Sequence, residues 1–393
     1  MRALVVAVSL TAAVLLSACE RRAAVAAPAT TDESQLAPST RLSVLRDDRS
    51  AKPFAVADAP RRFEFPADHG PHPQFRHEWW YTTGHLEASS GERFGFELTF
   101  FRFALAPLRA AAQNGGHSAW RSNDIYAAHF AVTDLDRKQF RFEERYSRGA
   151  VGLAGAQAAP LRVWLENWSL AAPAADARWT LQAEAHGYDL RLEAQPLAAP
   201  ILNGENGLSR KSNEAGAASY YYSIPRLALR GQLLRDGRAL EVAGIAWLDR
   251  EWGSGALAAN QAGWDWFALQ LDDGSALMFY SLRQRNGAQD SASAGTWVAP
   301  DGTVRSLASA DVRIEVLDYW NSPRGGRYPA QWRVHVPQLM LDADVRPLLP
   351  DQELQTNPRY WEGAVAVTGE RAGARVGGKG YVELVGYADE RQR

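Results

Sequence analysis

The chain has 393 residues, 46% apolar and 22% charged, a balance that fits a folded globular protein of two or three domains and excludes a multi-pass membrane protein. Lys+Arg 43 against Asp+Glu 45 leaves a net charge of −2, so the basic excess that nucleic-acid binding needs is missing. One Cys excludes a disulfide framework and a Cys-cluster metal site, while 14 Trp point to large aromatic cores or apolar ligand cavities.

Met1-Arg2 is a short basic start, and Leu4 to Leu16 is an apolar run too short for a transmembrane helix. It ends in Leu16-Ser17-Ala18-Cys19, with the small residues a signal peptidase needs. Residues 1–18 therefore read as a secretory leader. The segment resembles the bacterial lipoprotein box, whose Cys becomes the lipidated first residue of the mature chain. The expectation is a lipid anchor on Cys19 and a place on the periplasmic face of the cell envelope. Glu20 stands where an Asp often retains lipoproteins in the inner membrane, which favours the outer membrane. Residues 19–60 are rich in Ala, Pro, Ser, Thr and Asp without apolar periodicity, and read as a flexible tether.

Strand patterns begin near Phe63. Asp236-Gly237 and Asp273-Gly274 each separate two apolar-rich runs, a hairpin signal because Gly accepts positive φ in a tight turn. The Ala-rich stretch from Ala104 to Ala112 reads as a short helix or a loop insert. No long stretch has helical period, so the body is mostly antiparallel β. Its two halves echo each other. Phe94 and Phe96 recur as Leu277 and Phe279. Trp179, Leu190, Leu192 and Ala194 recur as Trp332, Leu339, Leu341 and Ala343. Tyr222 recurs as Tyr360, and Val242 to Ala246 as Leu384 to Ala388. The matches run in one order, which predicts an internal duplication. Each copy would hold about eight short strands closed into a barrel, with a two-sheet sandwich as the competing architecture. The boundaries are 61–252 and 253–393, with the join at the Gly- and Ala-rich stretch from Gly253 to Gln261.

Four histidines, His69, His72, His77 and His85, lie close in sequence, but their spacing matches no zinc signature, so no metal is expected. In His77-Glu78-Trp79-Trp80-Tyr81, strand alternation places an ionisable group beside aromatics on each face. Buried there, it needs a partner, as ligand-binding group or as a satisfied core pair. In Trp247-Leu248-Asp249-Arg250-Glu251-Trp252, Asp249 and Glu251 share a face. Two close carboxylates raise one another's pKa, which suits acid–base catalysis; equally, Arg250 could neutralise them at the junction. Trp264-Asp265-Trp266, with Tyr280 on the facing strand, places a carboxylate among π faces, as stabilisation of a cation-like centre would. No Gly-Xaa-Ser-Xaa-Gly elbow, Walker loop or Rossmann fingerprint occurs.

His77 to Gly84, the Tyr220-Tyr221-Tyr222-Ser223 run, Trp247 to Gly253 and Trp264 to Leu271 resemble the AttH-like family. That family includes the carotenoid 1,2-hydratases and many proteins described only as secreted hydrolases. The resemblance spans about Phe63 to Tyr387 and implies an all-β fold of two tandem lipocalin-like antiparallel β-barrels. The hydratases use no cofactor: an acid protonates an alkene and water captures the cation. Their His-Xaa-Trp and Tyr-Xaa-Asp segments align with Arg250-Glu251-Trp252 and Tyr280-Ser281-Leu282. Trp252 and Tyr280 match, whereas Arg250 and Leu282 stand at the His and Asp positions. A guanidinium cannot release a proton to an alkene, so Asp249 or Glu251 would have to serve as the acid.

The candidate catalytic residues are therefore Asp249, Glu251, Trp252, Asp265 and Tyr280, and the candidate ligand-binding residues His77, Glu78, Trp80, Trp264 and Trp266. Three functions follow: a binder of a hydrophobic isoprenoid or lipid-like molecule, a cofactor-independent hydratase-like or hydrolase enzyme on such a molecule, or an accessory subunit of an ABC-type permease. No nucleic-acid partner is expected.

Overall fold

The computed structural model describes residues 54–388 apart from 109–119, 121, 174–177 and 256. The leader, Cys19, most of the tether and much of the Ala-rich stretch lie outside the described residues. Regular structure is almost entirely strand. The first half holds β1 (His77–Ala88), β2 (Arg93–Ala104), β3 (Asp124–Asp134), β4 (Gln139–Arg148), β5 (Ala154–Ala158), β6 (Leu161–Leu165), β7 (Trp168–Ala172), β8 (Trp179–Ala185), β9 (Tyr188–Pro196), β10 (Ile201–Leu202), β11 (Leu208–Arg210), β12 (Ala218–Arg235) and β13 (Arg238–Gly253). The second holds β14 (Gln261–Leu271), β15 (Ala276–Gln284), β16 (Ala294–Val298), β17 (Val304–Ala308), β18 (Arg313–Asn321), β19 (Arg327–Val336), β20 (Leu341–Pro347), β21 (Glu353–Leu354), β22 (Tyr360–Arg371) and β23 (Ala374–Val385).

These strands form two antiparallel sheets, of 13 and 10 strands, more than the eight per copy expected from sequence. Short strands such as β10, β11 and β21 carry too few residues to show alternation. The long β12–β13 hairpin turns at Asp236 (φ 52°) and Gly237 (φ 80°), both in the left-handed region that a two-residue hairpin turn requires. His85 lies inside β1.

Both sheets follow one plan. The path β4-β3-β2-β1-β13-β12-β9-β8-β7 corresponds to β17-β16-β15-β14-β23-β22-β20-β19-β18. In each, the first strand of the copy pairs with the last, β1 with β13 and β14 with β23. The sequence echoes fall on corresponding strands: Trp179 on β8 and Trp332 on β19, Tyr222 on β12 and Tyr360 on β22. Each sheet curls on itself as a barrel or half-barrel, and the fold is that of two tandem lipocalin-like barrels.

The interiors are filled by side chains. Trp80, Trp168, Trp252, Phe94 and Phe96 belong to one contiguous buried cluster in the first barrel, and Tyr328, Trp332 and Trp361 to another in the second. A third cluster, with Tyr81, Tyr221, Trp247, Trp266, Tyr280 and Tyr381, joins residues from both halves. The barrels therefore meet face to face across an aromatic layer. Strand alternation sorts β1 accordingly: Glu78 and Trp80 face into the first barrel, whereas Trp79, Tyr81 and Thr83 face the second.

Candidate active site between the barrels

The layer between the barrels is unusually polar for a packed interface. On the first sheet, register aligns Glu144, His129, Thr99, Tyr81, Asp249 and Ser223 in one row across β4, β3, β2, β1, β13 and β12. The rows beside it bring Trp79, Glu251 and Tyr221, and Glu97, Thr83 and Trp247. The second sheet offers a row of Tyr280, Trp266, Glu383 and Glu362 across β15, β14, β23 and β22. Hydrogen bonds stitch the two faces together. Tyr81 donates to Glu362 Oε1 at 2.5 Å, Trp266 Nε1 to the Tyr221 hydroxyl at 3.1 Å, and Tyr360 to Glu97 Oε1 at 3.1 Å.

Five carboxyl groups thus share one largely buried layer: Glu97, Asp249, Glu251, Glu362 and Glu383. Asp249 accepts from Ser223 Oγ at 2.5 Å, from Trp247 Nε1 at 2.6 Å and from the Tyr221 hydroxyl. Burial pushes it up to about 7 against the pull of those donors. Glu383 accepts from Trp264 Nε1 at 2.9 Å and is only half-buried. Burial, reinforced by Glu97, Glu251 and Asp249, pushes it up to about 8. Glu362 lies across the strand pair from Glu383. Burial first, then Glu97 and Glu383, raises it well above the usual carboxylate range. Burial also raises Glu97. Like charges packed in a low-dielectric layer cannot all ionise, so protons are retained there at neutral pH. Lys211 answers Glu251 alone, with Nζ 3.1 Å from Oε1 and 4.1 Å from the centre of the Tyr280 ring.

The layer runs along β1. At one end, half-buried Trp79 stacks on His77, and both Trp79 and half-buried Trp264 pack against the third cluster. At the other, a cleft of about 770 Å³ opens on the seam between the barrels, lined by Leu86, Ala88, Phe94, Val242, Leu348 and Val365 among others. His85 lines it and bonds the Gly380 carbonyl of the second barrel at 2.9 Å. Burial holds both His77 and His85 down to about 4, so both rings are neutral at pH 7. Among the described residues, no group of three or more His, Cys, Asp and Glu is arranged to hold a metal ion.

The AttH-like family model matches residues 56–387. The chain belongs to the AttH-like family. A Nitrosomonas europaea protein provisionally assigned as an AttH has a crystal structure that is similar at 36% identity and a TM-score of 0.74, covering 85% of this chain and 99% of that one. Kievitone hydratase from Nectria haematococca shares the fold at 14% identity and a TM-score of 0.65, covering 87% and 97%. CghA with Sch210972 is similar at 16% identity and a TM-score of 0.50, covering 88% and 98%. A search of curated protein sequences finds no match.

The AttH-like fold distributes the sequence-derived candidates over three places. Asp249, Glu251, Tyr280, Trp264, Trp266 and His77 come together between the barrels. Glu78, Trp80 and Trp252 face into the first barrel instead. There Glu78 is enclosed by the guanidinium groups of Arg250 and Arg102 and accepts from the His72 amide at 3.0 Å. Burial opposes ionisation, but these partners hold Glu78 well below the usual carboxylate range. Arg250 therefore does not neutralise Asp249 and Glu251. It faces the other way, 3.8 Å over the Trp80 ring, because adjacent strand residues point to opposite faces. Asp265 faces into the second barrel, where Arg283 Nη1 at 2.6 Å and the Tyr387 hydroxyl at 3.0 Å satisfy it. Trp252 and Tyr280, the two matches to the hydratase segments, thus lie in different places: one in the first barrel, one in the layer.

Sequence reasoning missed Glu97, Glu362 and Glu383. The signal was present in weak form: each is a single acid inside an apolar strand run, Phe96-Glu97-Leu98, Trp361-Glu362-Gly363 and Val382-Glu383-Leu384. Only the pairing of β22 with β23, and the facing of the two sheets, reveals that they converge.

Proposed function

We propose that this protein is a cofactor-independent enzyme of hydratase type, acting between its barrels on a carbon–carbon double bond of an apolar, isoprenoid or lipid-like substrate. The observation that carries this reading is Glu383, a half-buried carboxyl held by Trp264, cross-strand from Trp266 and neutral at pH 7. Such a group is an acid poised near the working pH. Its proton passes to one alkene carbon while the π pair forms the new C–H bond. The cation left on the other carbon is stabilised by indole faces and by carboxyl oxygens of the same layer. Water attacks that carbon, and the proton it loses returns to Glu383. Atoms and charge balance without a cofactor. The hydratase among the structural neighbours supports the reading at the level of fold.

We place this activity at the cell envelope, with Cys19 lipidated and the body on the periplasmic side. The support is the leader ending in Leu16-Ser17-Ala18-Cys19. A lipid anchor would hold the protein close to membrane-dissolved substrates.

The test is incubation of the purified protein with an organic extract of its native envelope in heavy-oxygen water, followed by mass spectrometry. A product carrying one heavy oxygen is expected. Glu383→Gln should slow its formation by about 100-fold or more. An unlabelled extract, or an undiminished rate in the folded variant, would overturn the reading.

A further inference from the structure

One chain of polar groups leads out of the carboxyl layer toward solvent, and it uses residues from both barrels. Glu97 Oε1 lies 3.1 Å from the Tyr360 hydroxyl, which lies 2.7 Å from His129 Nδ1. His129 Nε2 lies 3.1 Å from Glu144 Oε1. Burial grades along the path. Glu97 and His129 are buried, whereas the Glu144 side chain is 20% exposed. At the inner end, Glu97 Oε2 is buried without a hydrogen-bonding partner, as is Glu362 Oε2. A buried carboxyl oxygen without a partner is costly to maintain. Its retention beside a continuous polar path asks for a role.

We propose that Glu97, Tyr360, His129 and Glu144 form a proton relay that connects the buried carboxyl layer with solvent. It rests on the reading of that layer as an acid–base centre. In the outward direction, Glu97 gives its proton to the Tyr360 oxygen as the Tyr360 hydroxyl proton moves to His129 Nδ1. The Nε2 proton of His129 then passes to the Glu144 carboxylate. Every bond broken is an O–H or N–H bond replaced by one on the next atom, so the net change is one proton moved from Glu97 to Glu144. Reversal reloads the layer. Imidazole suits the middle position because its two nitrogens can take and give a proton at opposite ends. The Tyr146 hydroxyl and the Asn357 amide both donate to Glu144 Oε1, at 2.7 Å and 3.1 Å, and fix the outer terminus. Tyr360 belongs to β22 and the other three to β2, β3 and β4, so the path exists only while the barrels are docked.

The test reads proton traffic directly and needs no substrate. Infrared spectroscopy follows the carbonyl band of the protonated Glu97 carboxyl, assigned as the band lost in Glu97→Gln, after transfer of the intact protein into heavy water. The wild type should exchange that proton rapidly. Tyr360→Phe, which keeps the ring and removes the hydroxyl, should slow exchange about tenfold or more, because exchange then waits on local opening of the interface. His129→Ala should slow it similarly and be rescued by added imidazole, which a merely structural His would not show. Wild-type exchange rates in both folded variants, or slowing in His129→Ala that imidazole leaves unchanged, would overturn the relay. The outcome is independent of the heavy-oxygen experiment. A working relay without labelled product would point to failure of the hydratase reading alone, and labelled product with unaltered exchange to failure of the relay alone.

Discussion

Asp249 and Arg250 are neighbours in sequence and point to opposite sides of one strand. Arg250 closes a buried ion pair on Glu78 inside the first barrel, with further bonds to the carbonyls of Gly70 at 2.6 Å and Trp79 at 3.1 Å. Removing this cation leaves buried Glu78 with Arg102 as its remaining guanidinium partner and strips two carbonyls of a donor. Arg250→Ala should therefore destabilise the protein by about 3–5 kcal/mol, measured by urea unfolding, because removing one partner from a buried ion pair costs that much. A mere catalytic loss at unchanged stability would contradict this assignment. Of the site, Asp249, Glu251, Trp264, Trp266 and Tyr280 were legible in the sequence, because they sit in dense aromatic–acid runs whose alternation is easy to follow. Glu97, Glu362 and Glu383 were not. Each is one charged residue in an apolar strand, and the partners that give it meaning, such as Tyr360 for Glu97 and Tyr81 for Glu362, lie 263 and 281 residues away in sequence.

At the scale of the strand, the fold was legible where turn chemistry marks it, as at Asp236-Gly237, and where the copies echo one another. The pairing of β1 with β13 was not, since nothing local in either strand specifies its partner. Close docking of the barrels depends on small residues on facing strands. A Cβ built on Gly95 of β2 would lie 2.6 Å from the Tyr381 hydroxyl and 2.7 Å from the Ala364 methyl, both on the second barrel. Gly95→Ala should cost about 1–3 kcal/mol by overpacking. It should also weaken the layer's bonds. The expected readout is a lower Tm together with faster solvent exchange of the indole N–H of Trp266. An unchanged Tm would show that the barrels dock less tightly than these contacts imply.

For the whole molecule, the carboxyl layer makes stability fall as pH rises. Glu383 titrates at about 8 and Asp249 at about 7 when folded, against ordinary values of 4.5 and 3.8. The histidines His69, His77 and His85, held down to about 4 by burial, act in the opposite sense up to their ordinary 6.5. It is therefore from about pH 6.5 to about pH 8 that the carboxyls set the slope: there the folded state binds more protons than the unfolded chain, and stability falls as pH rises. Glu78 acts in the opposite sense. Its folded pKa lies below the ordinary value, so its contribution is complete above the usual carboxylate range and is lost as pH falls below it. Urea midpoints measured from about pH 6.5 to about pH 8 should decline in the wild type, and the decline should be shallower in Glu383→Gln. A flat wild-type profile would mean that the layer is ionised or open to water.

Closure of each barrel by its first and last strands has a consequence for how the chain is made. His77 pairs with Gly253, and Trp264 with Val385. One edge of β1 therefore stays unsatisfied until the remainder of its barrel has left the ribosome, and β14 waits in the same way for β23. Contacts of such high order slow folding, because the closing loop is long and its entropy is lost before the contact forms. During that interval a long aromatic edge is open to pairing with other chains. Nascent copies are thus at their most aggregation-prone just before completion, and a chaperone that shields β1 and β14 would raise the yield of folded protein.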